Sequence, residues 1–426
     1  MTEGLFLLAA FALIALLRVP VAFAIGLATT LAMWMSIPFA ATTTTVAQRI
    51  ATGLDSFTLL AIPLFILAGD LMNRGGIARR LIALAQGLGM GLAQVHVVAS
   101  MLFGAISGSA IAAASGVGGV MDPRMREEGY EPGTRAAINI TAATTGLVIP
   151  PSNILIVYSL ASGGVSIAAL FVAGYLPGLL LGLSLMVTSA WLGRDLHAAL
   201  DAVAHPPLWP ALRDALPGLT IPVVVIGGIV GGAFTATEAS GIAVVMAFAV
   251  GLAQRELDLR DVPQVLRDSA AATGTVMLLI GTSIALSWVL AYARLPQDVA
   301  EALLRFAESP WLLLLLMNLL LLAVGTFMDM TPAVLIFTPI LLPAAIELGI
   351  DPVHFGIVMV MNLCIGLCTP PVGTVLFIGS GVAGAPLHEV IRPLLPRYAA
   401  MIGALFAVAA WPELSLFLPR WFDLMP

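Results

Sequence analysis

Ten apolar stretches follow one another along this chain, roughly 4–36, 56–73, 81–122, 136–161, 165–193, 214–254, 270–293, 311–343, 354–379 and 395–418. A helix that crosses a bilayer needs about 20 mostly apolar residues. Most of these stretches reach that length, and several exceed it. Only 10% of the 426 residues are charged and 60% are hydrophobic. An average soluble domain is about 25% charged, so a water-soluble fold of this size is excluded. Disorder, a disulfide scaffold and a nucleic-acid binder are excluded on the same grounds. What remains is an all-α polytopic membrane protein.

Helix breakers subdivide the long stretches. Arg18 and Pro20 split 4–36 into two helices, and 214–254 is long enough for two passes with a turn near Thr235–Glu238. The first apolar run carries Glu3 and no basic leader, so a cleavable signal peptide is not expected.

The breakers also repeat. With 104–164 laid on 324–384, Pro123 meets Pro343, Gly129 meets Gly349 and Pro132 meets Pro352. Gly146-Leu147 meets Gly366-Leu367, and Pro150-Pro151 meets Pro370-Pro371. This is read as an internal repeat. Loop 124–135 carries Arg124, Arg126 and Arg135, whereas its counterpart 344–355 carries no Arg. Arg marks the cytoplasmic side, so the two repeats are expected to be inverted. The other Arg-bearing loops are 74–80, 194–213, 255–267 and 392–397. All of them reach the inside only if 81–122 and 311–343 each enter and leave by one face. Each is then a re-entrant hairpin, which is tolerated only when buried in protein or lining a watery cavity.

Four elements concentrate chemistry. The first hairpin tip contains Ser107-Gly108-Ser109, and the second reads Gly325-Thr326-Phe327-Met328-Asp329. The first helix break runs from Gly146 through Ile149, Pro150 and Pro151 to Ser152 and Asn153. The second runs from Gly366 through Thr369, Pro370 and Pro371 to Gly373. Proline removes an amide donor and blocks the preceding turn. Two prolines after a glycine therefore leave carbonyls unpaired at membrane depth. Such carbonyls and nearby hydroxyls are hard oxygen ligands suited to Na⁺, while the N-termini of the half-helices suit an anion. One tip and one break per repeat would make one cation site, and two repeats would flank a substrate with two.

Other polar residues read as structural. Asp55 is expected to cap a helix starting at Ser56, Asp70 to sit near an interface, and Glu238 to cap a helix at an outer turn. His96, His197, His205, His354 and His388 form no relay or ligand pattern, and Cys364 and Cys368 read as small core residues. No catalytic constellation is visible, so the chain is not expected to be an enzyme.

The stretches Leu54-Asp-Ser-Phe, Ala61-Ile-Pro-Leu-Phe-Ile-Leu-Ala-Gly, Ser107-Gly-Ser-Ala, Ile149-Pro-Pro-Ser-Asn, Thr235-Ala-Thr-Glu-Ala, Gly325-Thr-Phe-Met-Asp and Thr369-Pro-Pro-Val-Gly resemble the large membrane subunit of tripartite ATP-independent periplasmic (TRAP) transporters. The resemblance runs over essentially the whole chain, in the family's order. It implies an elevator-type ion-transporter-superfamily fold with scaffold and transport domains. The expected parts are N-terminal scaffold helices (1–80), the core of repeat 1 (81–164), connecting scaffold helices (165–293), the core of repeat 2 (294–384) and a C-terminal helix (385–426). It implies Na⁺-driven symport of an organic acid, a C4-dicarboxylate, sugar acid or keto acid, across the bacterial inner membrane. A periplasmic binding protein would deliver the substrate and a small four-helix membrane subunit would enlarge the scaffold; at this length the chain would be the unfused form. No cofactor is implied beyond Na⁺ as coupling ion. Carried onto this chain, one Na⁺ site falls on Ser107, Ser109, Gly146, Ile149 and Asn153, and the other on Gly325, Asp329, Gly366 and Thr369. Ser107, Ser152, Asn153, Thr326, Thr369 and Gly373 are the expected substrate contacts. The alternative is a self-sufficient Na⁺- or H⁺-coupled anion symporter of the same fold.

Overall fold

The computed structural model describes residues 2–192, 207–306 and 309–425, and among them there are helices and turns but no strand. His197, His205 and most of loop 194–213 lie outside the described residues. In chain order, the first five helices are α1 (Thr2–Leu16), α2 (Val21–Trp34), α3 (Phe39–Leu54), α4 (Ala61–Arg74, after a 3₁₀ turn at Phe57–Leu60) and α5 (Ile77–Gly87). The first hairpin is α6 (Leu92–Ser107) and α7 (Ala110–Glu127), followed by the broken pair α8 (Pro132–Thr145) and α9 (Asn153–Ala161). Then come α10 (Ile167–Ala173), α11 (Tyr175–Leu192), α12 (Leu208–Val230), α13 (Ala236–Ala253), α14 (Val262–Tyr292) and α15 (Leu295–Phe306). The second hairpin is α16 (Pro310–Gly325) and α17 (Met330–Glu347), followed by α18 (Pro352–Gly366) and α19 (Thr374–Ala383), and the chain ends in α20 (Leu387–Ala410) and α21 (Glu413–Trp421).

Seven of the described helical stretches are long and apolar enough to cross a membrane. All seven Trp lie near helix ends: Trp34, Trp191, Trp209, Trp288, Trp311, Trp411 and Trp421. All but Trp288 are exposed. Amphipathic rings collect at the headgroup level of a bilayer, so this distribution marks the two ends of the molecule. Trp288 instead carries Arg49 of α3 over its ring, 5.3 Å from the centroid.

The splits read from the sequence are present. Arg18 and Pro20 lie between α1 and α2, and the turn at 235–238 separates α12 from α13. There Thr235 and Glu238 form a reciprocal capping box, each accepting from the other's backbone N–H, so Glu238 is a cap as expected. Asp55 is not: it follows the end of α3, and Ser56 takes the N-cap position of the 3₁₀ turn. Cys364 and Cys368 are both buried, free thiols. Three elements are additions to the sequence reading. Helix α3 went unassigned, as did α15. Residues 81–87 belong to the separate helix α5, so the first hairpin begins at Leu92.

On the sequence reading, the hairpins enter from opposite ends. Arg74 pairs with Asp268 at 2.9 Å, and Arg79 and Arg80 with Glu256 at 2.5 and 3.5 Å. The end of α4 therefore meets the loop that starts α14, and the first hairpin departs from that end through α5. Helix α14 has 31 residues, about 46 Å of helix, which carries the chain to the other end before α15 and the second hairpin. This is the course of the chain that the inverted arrangement expected from the sequence requires.

The repeat is clearest after the tips. Helices α7 and α17 both have 18 residues, and Ser109 and Asp329 occupy equivalent N-cap positions. Gly129 and Gly349 end those helices with φ of +82° and +76°, a left-handed conformation that glycine adopts without a Cβ penalty. Both Pro-Pro bonds, 150–151 and 370–371, are cis. The gap-free register fails in the first hairpin helices. Gly104 packs on Gly146, and Gly325, not Val324, packs on Gly366. The two tips thus differ by one residue between the packed glycine and the N-cap.

At the Arg-rich end, Arg135 fastens the first hairpin. Its Nε donates to Asp122 at 2.7 Å, its Nη1 to the Tyr130 carbonyl at 2.8 Å and its Nη2 to the Ala383 carbonyl at 3.2 Å. The Arg135 side chain is 7% exposed and that of Asp122 17%. Removing one partner of a buried pair strands the other. Arg135→Ala is expected to cost about 3–5 kcal/mol, read by unfolding in detergent. Arg79→Ala breaks a pair whose Arg is 65% exposed and is expected to cost under about 1 kcal/mol. Equal losses in the two variants would refute this account.

Candidate functional site

A cavity of about 300 Å³ lies between α4 and α14 on one side and both hairpin tips and both breaks on the other. Its construction follows from the breakers. Helix α6 ends at Ser107, and Ser109 restarts the chain as N-cap of α7, its Oγ accepting from the Ala112 N–H at 3.2 Å. Asp329 restarts α17 in the same way but makes no side-chain capping bond. Past the prolines, α9 starts at Asn153 and α19 at Thr374.

The first residues of all four half-helices therefore line this one cavity: Ala110, Asn153, Met330 and Thr374. Each helix N-terminus presents unpaired N–H groups and a partial positive charge. No Arg lines the cavity among the described residues, and Arg74, one turn beyond Asp70, is paired with Asp268. The positive potential in the cavity comes from backbone rather than from side chains.

The expected site residues divide into two groups. Ser107, Ser109, Asn153 and Asp329 line the cavity. The others stand behind its wall. Gly146 and Gly366 are buried against the hairpin glycines, and Ile149 packs on Gly178 of α11. Three hydroxyls turn to their own backbone: Ser152 donates to the Leu147 carbonyl at 2.5 Å, Thr326 to Ala323 at 2.7 Å and Thr369 to Ile365 at 2.7 Å. The Gly373 N–H donates to the Thr326 carbonyl at 3.3 Å, which clasps the second tip to the second break. In this arrangement Ser152, Thr326, Thr369 and Gly373 hold the framework and do not face the cavity.

Three cavity residues were not identified as site residues from the sequence. Asp70 and Asn73 project from one face of α4. Asp70, expected near an interface, lies one turn from the exposed Arg74–Asp268 pair and also reaches the cavity, where its Oδ2 accepts from the Ser269 hydroxyl of α14 at 2.5 Å. The available signal was two polar residues three apart, hence on one helix face, closing an apolar run. Thr374 also lines the cavity, and its buried hydroxyl has no hydrogen-bond partner among the described residues. Among the described residues no group of three His, Cys, Asp or Glu side chains converges.

Polar pins hold each hairpin to its broken helix. His96 Nε2 of α6 lies 3.2 Å from Asn139 Oδ1 of α8, and Asn139 Nδ2 donates to the Ala114 carbonyl of α7 at 2.9 Å. In the second repeat Asn362 Nδ2 of α18 donates to Asn318 of α16, at 2.9 Å to the carbonyl and 2.7 Å to Oδ1. His96 is thus a buried structural histidine, as is His354, whose Nδ1 lies 2.7 Å from the Ser415 hydroxyl.

Comparison with known proteins agrees with this architecture. A family model described as the DctM component of the tripartite ATP-independent periplasmic transporter matches residues 8–414. The chain is 49% identical over 422 residues to the uncharacterized protein YgiK of Salmonella typhimurium, covering 98% of this chain and 97% of that one. It is 42% identical over 373 residues to the C4-dicarboxylate TRAP transporter large permease protein DctM of Pseudomonas aeruginosa, covering 86% and 87%. It is 37% identical over 383 residues to the sialic acid TRAP transporter large permease protein SiaM of Vibrio cholerae, covering 88% and 89%. The crystal structure of the Alcanivorax borkumensis YdaH transporter resembles it with a TM-score of 0.64 over 87% of this chain and 88% of that one. At 15% identity this likeness concerns the fold alone.

Proposed function

The chain belongs to the DctM family of tripartite ATP-independent periplasmic transporters, a multi-pass membrane permease and not an enzyme, and from that membership we propose a Na⁺-driven symporter of an organic acid into the cytoplasm. Its place is the bacterial inner membrane. Its partners are a small four-helix membrane subunit and a periplasmic binding protein that delivers the substrate. The substrate is a C4-dicarboxylate, sugar acid or keto acid.

One observation carries the reading: four half-helix N-termini converge on a cavity lined by Asp70 and Asp329 and by no Arg. An anion placed there is met by amide dipoles, and the Asp329 carboxylate at the second tip requires a cation to offset it. Na⁺ ions at the tips and breaks supply that charge, which couples anion entry to cation entry. The transport unit comprises the hairpins and broken helices within 81–164 and 294–384. The remaining helices form the scaffold, against which the unit slides as an elevator. Helices α5 and α15, amphipathic and placed before each hairpin, are the levers.

The test is uptake into proteoliposomes containing this chain and its small subunit. A panel of radiolabelled C4-dicarboxylates, sugar acids and keto acids is supplied with the cognate binding protein, under an imposed Na⁺ or H⁺ gradient. Accumulation is expected only with both inward Na⁺ and the binding protein. Accumulation driven by Na⁺ without the binding protein would replace this reading by a self-sufficient symporter, and indifference to Na⁺ would remove the coupling ion.

A further inference from the structure

The two breaks are backed by equivalent helices that treat them differently. The register that superposes α7 on α17 also lays Ile167, the first residue of α10, on Leu387, the first residue of α20. It places Gly178 of α11 opposite Tyr398 of α20, and Val148 and Ile149 opposite Cys368 and Thr369. At the first break the backing helix is cut away. Gly174 sits against the Val148 carbonyl and Gly178 against the Ile149 side chain, so that a Cβ at either glycine would overlap its neighbour. At the second break the backing helix reaches in. The Tyr398 hydroxyl donates to the Cys368 carbonyl and also lies within hydrogen-bonding reach of Thr369. A carbonyl at the end of the broken helix thus has a phenolic partner in the second repeat. The corresponding carbonyl in the first repeat faces a glycine.

We infer that Tyr398 is the positioning residue of the second cation site, and that it makes the two sites inequivalent. This rests on the reading that Na⁺ binds at the tips and breaks. A cation held by backbone carbonyls gains from carbonyls that are already aimed, because aiming them on binding costs conformational freedom. Tyr398 fixes the Cys368–Thr369 peptide from behind and thereby orients the Gly366–Thr369 turn, which is pinned on its other side by the Gly373–Thr326 bond. The first break receives no hydroxyl from its backing helix: Gly174 and Gly178 pack against it, and its own Ser152 donates to the Leu147 carbonyl at 2.5 Å, one residue short of the carbonyl equivalent to that of Cys368. Tyr398 touches no substrate and acts only through the break.

The probe is Na⁺ alone. The purified full chain in detergent is melted over a Na⁺ series, with choline holding ionic strength constant. A ligand that binds the folded state raises its stability by mass action, so the series gives a half-saturating Na⁺ concentration without a transport substrate. Tyr398→Phe keeps the ring and removes the hydroxyl. One hydrogen bond contributes about 0.5–1.5 kcal/mol, so half-saturation of one site is expected to rise about 3- to 10-fold, splitting a single transition into two. Tyr158→Phe is the control, since it deletes a tyrosine bond to the Pro352 carbonyl at 2.6 Å, at the far end of α18 from the second break. It is expected to lower the melting temperature and leave the Na⁺ midpoint in place. A Tyr398→Phe variant that behaves like Tyr158→Phe overturns the inference. Should Tyr398→Phe fold poorly, Thr369→Ala and Asn153→Ala carry the test. Thr369→Ala is expected to shift the same transition as Tyr398→Phe, and Asn153→Ala the other; identical shifts from both overturn the inequivalence. A wild-type chain that Na⁺ stabilises no more than choline defeats the underlying reading of cation sites, an outcome distinct from loss of the Tyr398 effect alone.

Discussion

Asp329→Asn is expected to abolish Na⁺-driven uptake and to remove the Na⁺ stabilisation of one site in the purified chain. Asp329 occupies an N-cap position, but its carboxylate reaches only the adjacent Met330 N–H and makes no capping bond further into the helix, and it lines the cavity beside the N-terminus of α17. A carboxylate used as a full cap reaches the second and third N–H groups, as Asp351 does on α18, where it accepts from Val353 and His354 at 2.8 and 3.4 Å. Asparagine has nearly the same shape and retains a carbonyl oxygen, so the substitution removes charge and little else. Two unit charges about 4 Å apart at an effective dielectric of about 20 attract by about 4 kcal/mol. Loss of that attraction weakens cation binding about a thousand-fold, beyond any attainable Na⁺ concentration. Asp70→Asn is the comparison. Its carboxylate is held by Ser269 on the α14 side and belongs to no tip or break, so Na⁺ half-saturation is expected to stay within about two-fold of wild type. An Asp329→Asn chain that keeps wild-type Na⁺ half-saturation would sink the assignment.

What the sequence revealed, and what it hid, follows from how each feature is encoded. Pro150-Pro151 and Pro370-Pro371 act through their own backbone, so the breaks were readable wherever they lay in the fold. The turn at Thr235 was readable for a similar reason, since a capping box closes within four residues. Helices α5 and α15 escaped because each is apolar on one face only, and a window seeking spans averages that away. The direction of a hydroxyl is also hidden. Thr369 and Thr326 look like ligands in the sequence, but a threonine in a helix can satisfy itself on a carbonyl three or four residues back, and both do. Asp70 and Asn73 were hidden by topology. They lie more than 30 residues before the first tip, and only the packing of α4 against α6 and α14 brings them to the cavity. Tyr398 was hidden twice over, because its partner is a backbone carbonyl and carbonyls leave no trace in sequence.

The contact that makes the site possible is also its most fragile point, and it gives the second large expected effect. Gly146 faces Gly104, and a Cβ built on Gly146 falls 2.5 Å from the Gly104 Cα and 2.7 Å from the Ala105 N. Those are backbone atoms, so no rotamer change relieves the overlap; α6 must move away from the break or the break must unwind further. Overpacking of this kind costs about 3 kcal/mol, and the displaced tip carries Ser107 and Ser109 away from Asn153. Gly146→Ala is therefore expected to lose uptake and to unfold early in detergent, and Gly366→Ala to do the same through Gly325, whose Cα would lie 2.6 Å away. Gly119→Ala tests the opposite sign. Gly119 is an exposed position of α7 with nothing near its missing side chain, and alanine is favoured over glycine within a helix by about 0.5–1 kcal/mol. That variant should be as stable as wild type or slightly more so, with uptake intact. If Gly146→Ala matched Gly119→Ala in stability and transport, the hairpin would not depend on backbone contact with the break, and the closeness of tip and break would lose its physical basis.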